Sequence, residues 1–419
     1  MEKPDYISRR LKFIDKLPAN SVCIILSNEI LFKNGDTEIN FRQDSNFWYL
    51  TGINEPDCAL LITKNEDSFE TSVFVRQKIK AEEIWSGYRL GLEEAQKLAQ
   101  TDKVYKFEDL TGQIEKIPRN ITKFYFKSSA TNYHLLRQNI LQSYPKRYTL
   151  ELVDPDIILG ELRLIKEPIE VDYIKEAAKI SIEAHRQCQK FIQNGCFEYQ
   201  VQAELEYRFK LYNTNPAYPS IVASGKNATI LHYVENNRQI QIGDLVLIDA
   251  ACEFQNYSSD ITRTYVASEK YSDPQKEIYD IVLKAHNNAI DEASKKSKTI
   301  RDVHNKAVES LVEGLIKLNL LVGSVESNIT EKKYLKFFMH GTSHWLGLDT
   351  HDVGLITEPQ SSDFRLLRPN MVLTIEPGLY FEKDNESIPK QYRGIGIRLE
   401  DDILITPKGA ENLTIDLKI

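Results

Sequence analysis

Residues 339 to 352 read MHGTSHWLGLDTHD and hold three of the chain's eight histidines, His340, His344 and His351. Near neutral pH an imidazole can bind a metal, donate a hydrogen bond or move a proton. Packed core histidines are the plain alternative. Three in so short a span favour a functional cluster, and its partners must come from elsewhere in the chain.

Carboxylates are the natural partners. The segment GDLVLIDAACEFQNYSSDITRTYV reads as a hairpin in which Asp249 closes an apolar strand and Asp260 opens the return. With the turn centred on Phe254 and Gln255, residues 249 and 260 pair directly and share a face. Two like charges so placed repel unless a cation lies between them. Solvated aspartates flanking a turn are the alternative. The apolar run LVLI weighs against it, because buried carboxylates rarely lack a partner.

Two further carboxylates follow. MVLTIEPGLY puts Glu376 at the end of another apolar strand, stopped by Pro377 and Gly378. GIGIRLEDDILI alternates: Ile395, Ile397 and Leu399 take one face, Arg398 and Glu400 the other. Taken alone, that segment reads most simply as a solvent-facing Glu400 with Arg398 as its surface partner.

Together, Asp249, Asp260, Glu376 and Glu400 with one imidazole are too oxygen-rich for a structural zinc site. They suit two hard or borderline divalent ions, Mn²⁺ most readily, with Mg²⁺, Co²⁺ or Zn²⁺ as alternatives. Carboxylates can bridge ions roughly 3.5–4 Å apart.

The elements that must position these groups fall into two parts. A chain of 419 residues is long enough for two or three domains. The formal net charge of −8 weighs against nucleic acid as the main partner. No apolar run approaches the roughly 18 residues of a membrane span. The N-terminal MEKPDYISRRLKFIDKL lacks the apolar core of a signal peptide. Five scattered cysteines without a CxxC pattern read as reduced thiols. A cytoplasmic chain is the expectation.

Before residue 160, SVCIIL, CALLIT and TSVFVR read as buried strands and LEEAQKLAQ as a helix. From Pro168, which suits a first helical turn, Val171, Ile174, Ala178, Ser181, His185 and Cys188 follow helical spacing. The domain boundary is expected near residue 163, giving domains 1–163 and 164–419. No Gly/Ser linker separates them, so they should be packed rather than tethered. The second part should be α+β. Its helices are expected near 168–193, 198–213, 274–293 and 300–317. Its strands are expected near 244–251, 257–266, 371–376 and 393–405. Two helix pairs, each followed by strands, suggest two similar halves.

In order, ILHY, DAACEFQNYSSDITRT, HGTSHWLGLDTHD, TIEPG and GIGIRLED resemble the motifs of the creatinase/aminopeptidase P/prolidase family of pita-bread metallopeptidases. The resemblance is strongest to the aminopeptidase P branch. FRQDSNFWYLTGINEPDCALLI and EIWSGYRLG are similar to that branch's N-terminal domain. The likeness covers roughly residues 30–95 and 150–405; residues 100–150 carry no recognised motif.

The resemblance implies a pita-bread catalytic domain over 164–419, after a smaller α/β creatinase-like domain over 1–163 serving oligomerisation and substrate access. It implies two divalent metal ions held by Asp249, Asp260, His344, Glu376 and Glu400. Asp260 and Glu400 would bridge them, Asp249 would chelate one, and His344 and Glu376 would complete the other. His232, His340 and His351 would surround the substrate, and Arg398 would hold the carboxylates. His134, His185, His286 and His304 are expected to be ordinary packed or surface residues. Ser259 and the run YVASEKYS depart from the family's pattern, without an expected contact to a ligand.

The implied reaction is hydrolysis of the bond between an N-terminal residue and a following proline. Glu376 is the candidate general base. His351 and His232 are candidates to stabilise the oxyanion. Proline would sit near His340 and His351. The implied partners are peptides with proline in second place and further copies of the chain, as a dimer or tetramer. Trp85 would then reach a neighbouring subunit's site, or be an ordinary packed tryptophan. Two competing readings stay open. A prolidase would share the ligands but must bind a free proline carboxylate, for which Arg393 or an N-terminal-domain residue is a candidate. A non-catalytic binding module would be expected to have lost ligands, and none is lost here.

Overall fold

The computed structural model of the protein describes residues 3–118, 120–127, 151–193 and 195–417. His134 lies outside them. The chain divides into two compact units, residues 1–162 and 163–419.

The first unit is built on a six-stranded mixed sheet. Its strands are β1 (Ser21–Leu26), β2 (Ala59–Lys64), β3 (Phe69–Val75), β4 (Lys103–Lys106), β5 (Lys123–Tyr125) and β6 (Glu151–Val153), in the order β4-β3-β2-β1-β5-β6. The β1–β2 and β2–β3 pairs are antiparallel, and the outer pairs are parallel. The apolar runs SVCIIL and CALLIT form neighbouring strands, mostly buried. Helix α1 (Lys80–Ser86) carries Ile84 and Trp85, both exposed, while α2 (Gly91–Ala99) buries Ala95 and Ala99.

The second unit holds the expected helices as α3 (Pro168–Phe191), α4 (Glu198–Leu211), α5 (Asp273–Ala293) and α6 (Ile300–Lys317). Helix α3 opens with Pro168 in its first turn, where a missing N–H costs nothing. Its periodic residues, including His185, are buried.

The strands are β7 (Ile221–Ser224), β8 (Leu245–Asp249), β9 (Cys252–Phe254), β10 (Tyr257–Ser258), β11 (Thr262–Val266), β12 (Val372–Ile375), β13 (Gly378–Tyr380), β14 (Gly396–Arg398), β15 (Asp401–Thr406) and β16 (Gly409–Asn412). They form the sheets β7-β8-β11 and β12-β15-β16, with β13 paired to β14. Helices α3 and α4 bury Ala177, Ile180, Leu205 and Phe209 against Val222, Val246 and Ile248. Helices α5 and α6 do the same with Ala289, Val303 and Ala307 against Leu373, Ile375 and Ile403. Each half thus covers one sheet face with a helix pair. Burying each such aliphatic side chain contributes about 1.5–3 kcal/mol.

Two expectations need correction. The hairpin turns one residue later than expected, on Gln255 and Asn256, which both take positive φ, 50° and 63°. Mirror-image hairpin turns require this conformation, which asparagine tolerates and most residues avoid. Asp249 therefore pairs with Thr262 rather than Asp260. The change in pairing is two residues, so side-chain alternation still leaves both carboxylates on one side. The single-segment alternative for Glu400, a solvent-facing residue, is also excluded. Glu400 is 2% exposed and Arg398 is 4% exposed, so neither is a surface residue. The expected strand 393–405 is also broken, into β14 and β15.

Candidate metal centre

The four carboxylates share a local feature. Asp249 ends β8, Asp260 lies between β10 and β11, Glu376 between β12 and β13, and Glu400 between β14 and β15. At such breaks the chain changes pairing partner, and a side chain can turn into the space between two sheets. Glu400 still donates its N–H to the Thr262 carbonyl at 3.0 Å, and Glu376 donates to the Thr342 carbonyl at 2.8 Å.

His344 meets two of these groups. Its Nε2 lies 3.4 Å from Asp260 Oδ2 and 3.7 Å from Glu376 Oε1. Its Nδ1 lies 3.0 Å from the Trp345 carbonyl oxygen, so Nδ1–H donates there and Nε2 faces the carboxylates, where its proton stands in the place a bound cation would take. Asp260, His344 and Glu400 each offer an atom within 4.8 Å of the others, the spacing of a metal-binding group.

Arg398 anchors the other side. Nη2 donates to Asp249 Oδ2 at 2.6 Å, Nη1 to the Tyr380 hydroxyl at 3.0 Å, and Nε to Thr262 Oγ1 at 3.1 Å. The Thr262 hydroxyl in turn donates to Glu400 Oε2 at 2.6 Å. The Tyr218 hydroxyl donates to Asp260 Oδ1 at 2.6 Å.

Burial, reinforced by Asp260, raises Glu400 well above the ordinary carboxylate range. Burial also pushes Glu376 up to about 7, against the pull of His344 and Arg398. His344 shows the complement: burial pulls it down, but Asp260 and Glu376 more than offset this and hold it at about 9. Asp249 Oδ1 is buried without a hydrogen-bond partner. A crowd of buried carboxylate oxygens, one orphaned, with an imidazole nitrogen aimed among them, fits hard or borderline divalent cations.

The remaining histidines take distinct places. His340 Nδ1 lies 3.6 Å from Glu376 Oε2, and its Nε2 shares a 2.8 Å hydrogen bond with the Tyr380 hydroxyl. Burial first, then Arg398, His304 and His232, hold His340 down to about 3. The His351 ring packs edge-on against His344, with centroids 4.4 Å apart. His232 is exposed on the turn before Tyr233. Trp85, in the first unit, is 91% exposed. His185 is a packed residue whose Nε2 lies 2.8 Å from the Ala250 carbonyl oxygen. His304 was expected to be ordinary, yet its Nδ1 lies 2.9 Å from Thr342 Oγ1, beside the cluster. Ser259 is not idle either: it donates to Asp402, whose carboxylate also accepts the Asp260 N–H.

Sequence patterns missed four supporting groups. Thr262 and Tyr380 lie inside or beside recognised motifs, so strand alternation offered a signal for them. Tyr218 and His304 touch the centre only through tertiary contacts, which no local period reports.

Fold and site together define a two-part metallopeptidase. The chain belongs to metallopeptidase family M24, matched over residues 172–407, and residues 6–125 match the aminopeptidase P N-terminal domain. It is 38% identical over 415 residues to the Xaa-Pro aminopeptidase of Haemophilus influenzae, spanning 99% of this chain and 94% of that one. The structure of Escherichia coli aminopeptidase P with the inhibitor Pro-Leu superposes with a TM-score of 0.92 at 36% identity, covering 100% of this chain and 96% of that one. A zinc-substituted form of the E. coli enzyme in complex with product gives the same TM-score, identity and coverage. Among the described residues, no helix is long and apolar enough to cross a membrane.

Proposed function

We propose that the chain is an Xaa-Pro aminopeptidase, hydrolysing the peptide bond between an N-terminal residue and a following proline. The observation that carries this is His344, its Nε2 directed at Asp260 and Glu376 within a buried carboxylate cluster. Asp249, Asp260, His344, Glu376 and Glu400 would hold two divalent ions, Mn²⁺ most readily. Bound there, the ions supply Lewis acidity and make a water ionisable near neutral pH.

The chain's own residues do the rest. Glu376 is the group placed to take and return the proton of the attacking water. His351 and His232 donate to the developing oxyanion. His340, locked by Tyr380, lines the proline side with His351. Arg398 fixes the orientation of Asp249. A proline amide has no N–H, so the site need not satisfy that donor.

The aminopeptidase reading is favoured over a prolidase by Arg393. Its Nε donates to the Ile388 carbonyl and its Nη2 to that of Glu386, so this guanidinium is engaged in its own loop. The exposed Trp85 is consistent with a surface covered by another copy of the chain. Five buried, unpaired cysteines favour a cytoplasmic home. The test is exhaustive chelation followed by reconstitution with Mn²⁺. Activity on a tripeptide with proline second should vanish and return. Full activity in the stripped protein would sink the proposal.

A further inference from the structure

We propose that Glu198 is a positioning residue for the reaction: its buried carboxylate fixes the 224–238 loop and thereby aims His232. This rests on the reading that His232 serves the substrate. Glu198 is the first residue of α4 and is fully buried. Its Oε1 accepts from the Ser224 N–H at 2.6 Å, the Ser224 hydroxyl at 2.7 Å and Asn227 Nδ2 at 3.2 Å. Its Oε2 accepts from the Tyr233 hydroxyl at 2.8 Å and the Arg238 N–H at 2.8 Å. The Glu198 N–H in turn donates to the Arg238 carbonyl at 3.0 Å.

One carboxylate thus ties the start, middle and end of a single loop. Its charge is met by hydrogen bonds and by the helix N-terminus, both favourable to an anion. The Arg238 guanidinium turns instead to the Ser224 hydroxyl and Asp244.

The tie lies next to the functional group. Tyr233 is buried while His232, its chain neighbour, is exposed. Anchoring the tyrosine on Glu198 therefore fixes the backbone from which the imidazole projects. A second restraint acts on the same loop. A Cβ on Gly396 would overlap the Ala228 carbonyl, so the loop lies directly on the strand that also carries Arg398. Glu198 and Gly396 hold the loop from different sides. Among the described residues, no hydrogen bond links Glu198's partners to the carboxylate cluster, so its effect on the reaction must pass through the loop.

The test is a double-mutant cycle on the metal-reconstituted full chain. Glu198→Gln keeps size but replaces an acceptor oxygen with a donor. It should lower kcat about tenfold while leaving metal content unchanged. In a His232→Ala background the same change should cost less than about twofold, because the aimed group is gone. Equal factors in both backgrounds would mean a merely structural residue and overturn the proposal. If Glu198→Gln fails to fold, Tyr233→Phe removes one tether and runs the same cycle. His232→Ala alone tests the underlying reading, which full activity would remove. Amide exchange over 225–238 reports the clamp independently. It should quicken in Glu198→Gln or Tyr233→Phe, and unchanged exchange would overturn the clamp whatever His232 does.

Discussion

Nε2 of His344 stands 3.4 Å from Oδ2 of Asp260, although 84 positions separate them in the chain. Neither residue is informative alone; the strand break at Asp260 meets a histidine in the loop before the strand 372–375. His344→Ala, Asp260→Ala and Glu400→Ala should each lose metal together with activity. Elemental analysis of the Mn²⁺-reconstituted protein should give about two ions per chain, and markedly fewer in each variant. A variant that keeps the full complement is not altered at a ligand.

His232→Ala, His340→Ala and His351→Ala should behave differently, keeping metal and losing rate. For a lost oxyanion donor, kcat should fall roughly 10²–10³-fold at His351 and His232. Metal content and kcat measured on the same preparations separate the two classes. If His351→Ala loses metal as His344→Ala does, the division of the histidines is wrong.

Four helices of the catalytic unit and most of its strands were legible, because each helix buries one stripe and the strands are short apolar runs buried on both faces. The candidate ligand types were legible too, since apolar runs ending in Asp or Glu are unusual. What periodicity hid was the breaks. Residues 257–266 and 393–405 read as continuous strands, yet Asp260 and Glu400 sit where pairing stops and restarts. Burial on both faces also made Glu400 look like an exposed residue of an alternating strand. The turn at Gln255 and Asn256 was missed because a glutamine at positive φ leaves no glycine to mark it.

Asp352 should be needed for stability. It lies between Arg163 Nη2 at 2.6 Å and Lys166 Nζ at 2.9 Å, and all three side chains are essentially buried. Removing it strands the buried Lys166 ammonium and leaves Arg163 with Asp349 at 2.7 Å, and breaking such a buried pair typically costs about 3–5 kcal/mol. Urea unfolding of Asp352→Ala should show a loss of that order. A change below about 1 kcal/mol would show the cations find other partners.

His185 should shape the acid limb of stability. Burial holds it at about 4 against an ordinary 6.5, so the folded form keeps it neutral. Between these values the unfolded chain takes up a proton that the folded chain refuses. Its share of stability is therefore complete above about pH 6.5 and lost as pH falls toward 4, about 2–3 kcal/mol by pH 4.5. Unfolding of chelated protein at pH 7 and 4.5 should show a smaller difference in His185→Gln than in the parent. Equal differences would mean that His185 is protonated in the fold.

The most direct measurement is substrate choice by the metal-reconstituted protein, followed by chromatography of the released first residue. Xaa-Pro-Yaa tripeptides should be cleaved after the first residue with higher kcat/KM than Xaa-Pro dipeptides. Replacing the proline by alanine should cost well over tenfold, about 1.4 kcal/mol or more of transition-state binding. A dipeptide cleaved best, with the tripeptide hardly touched, would make the protein a prolidase. Equal rates with alanine in second place would contradict a proline-directed site.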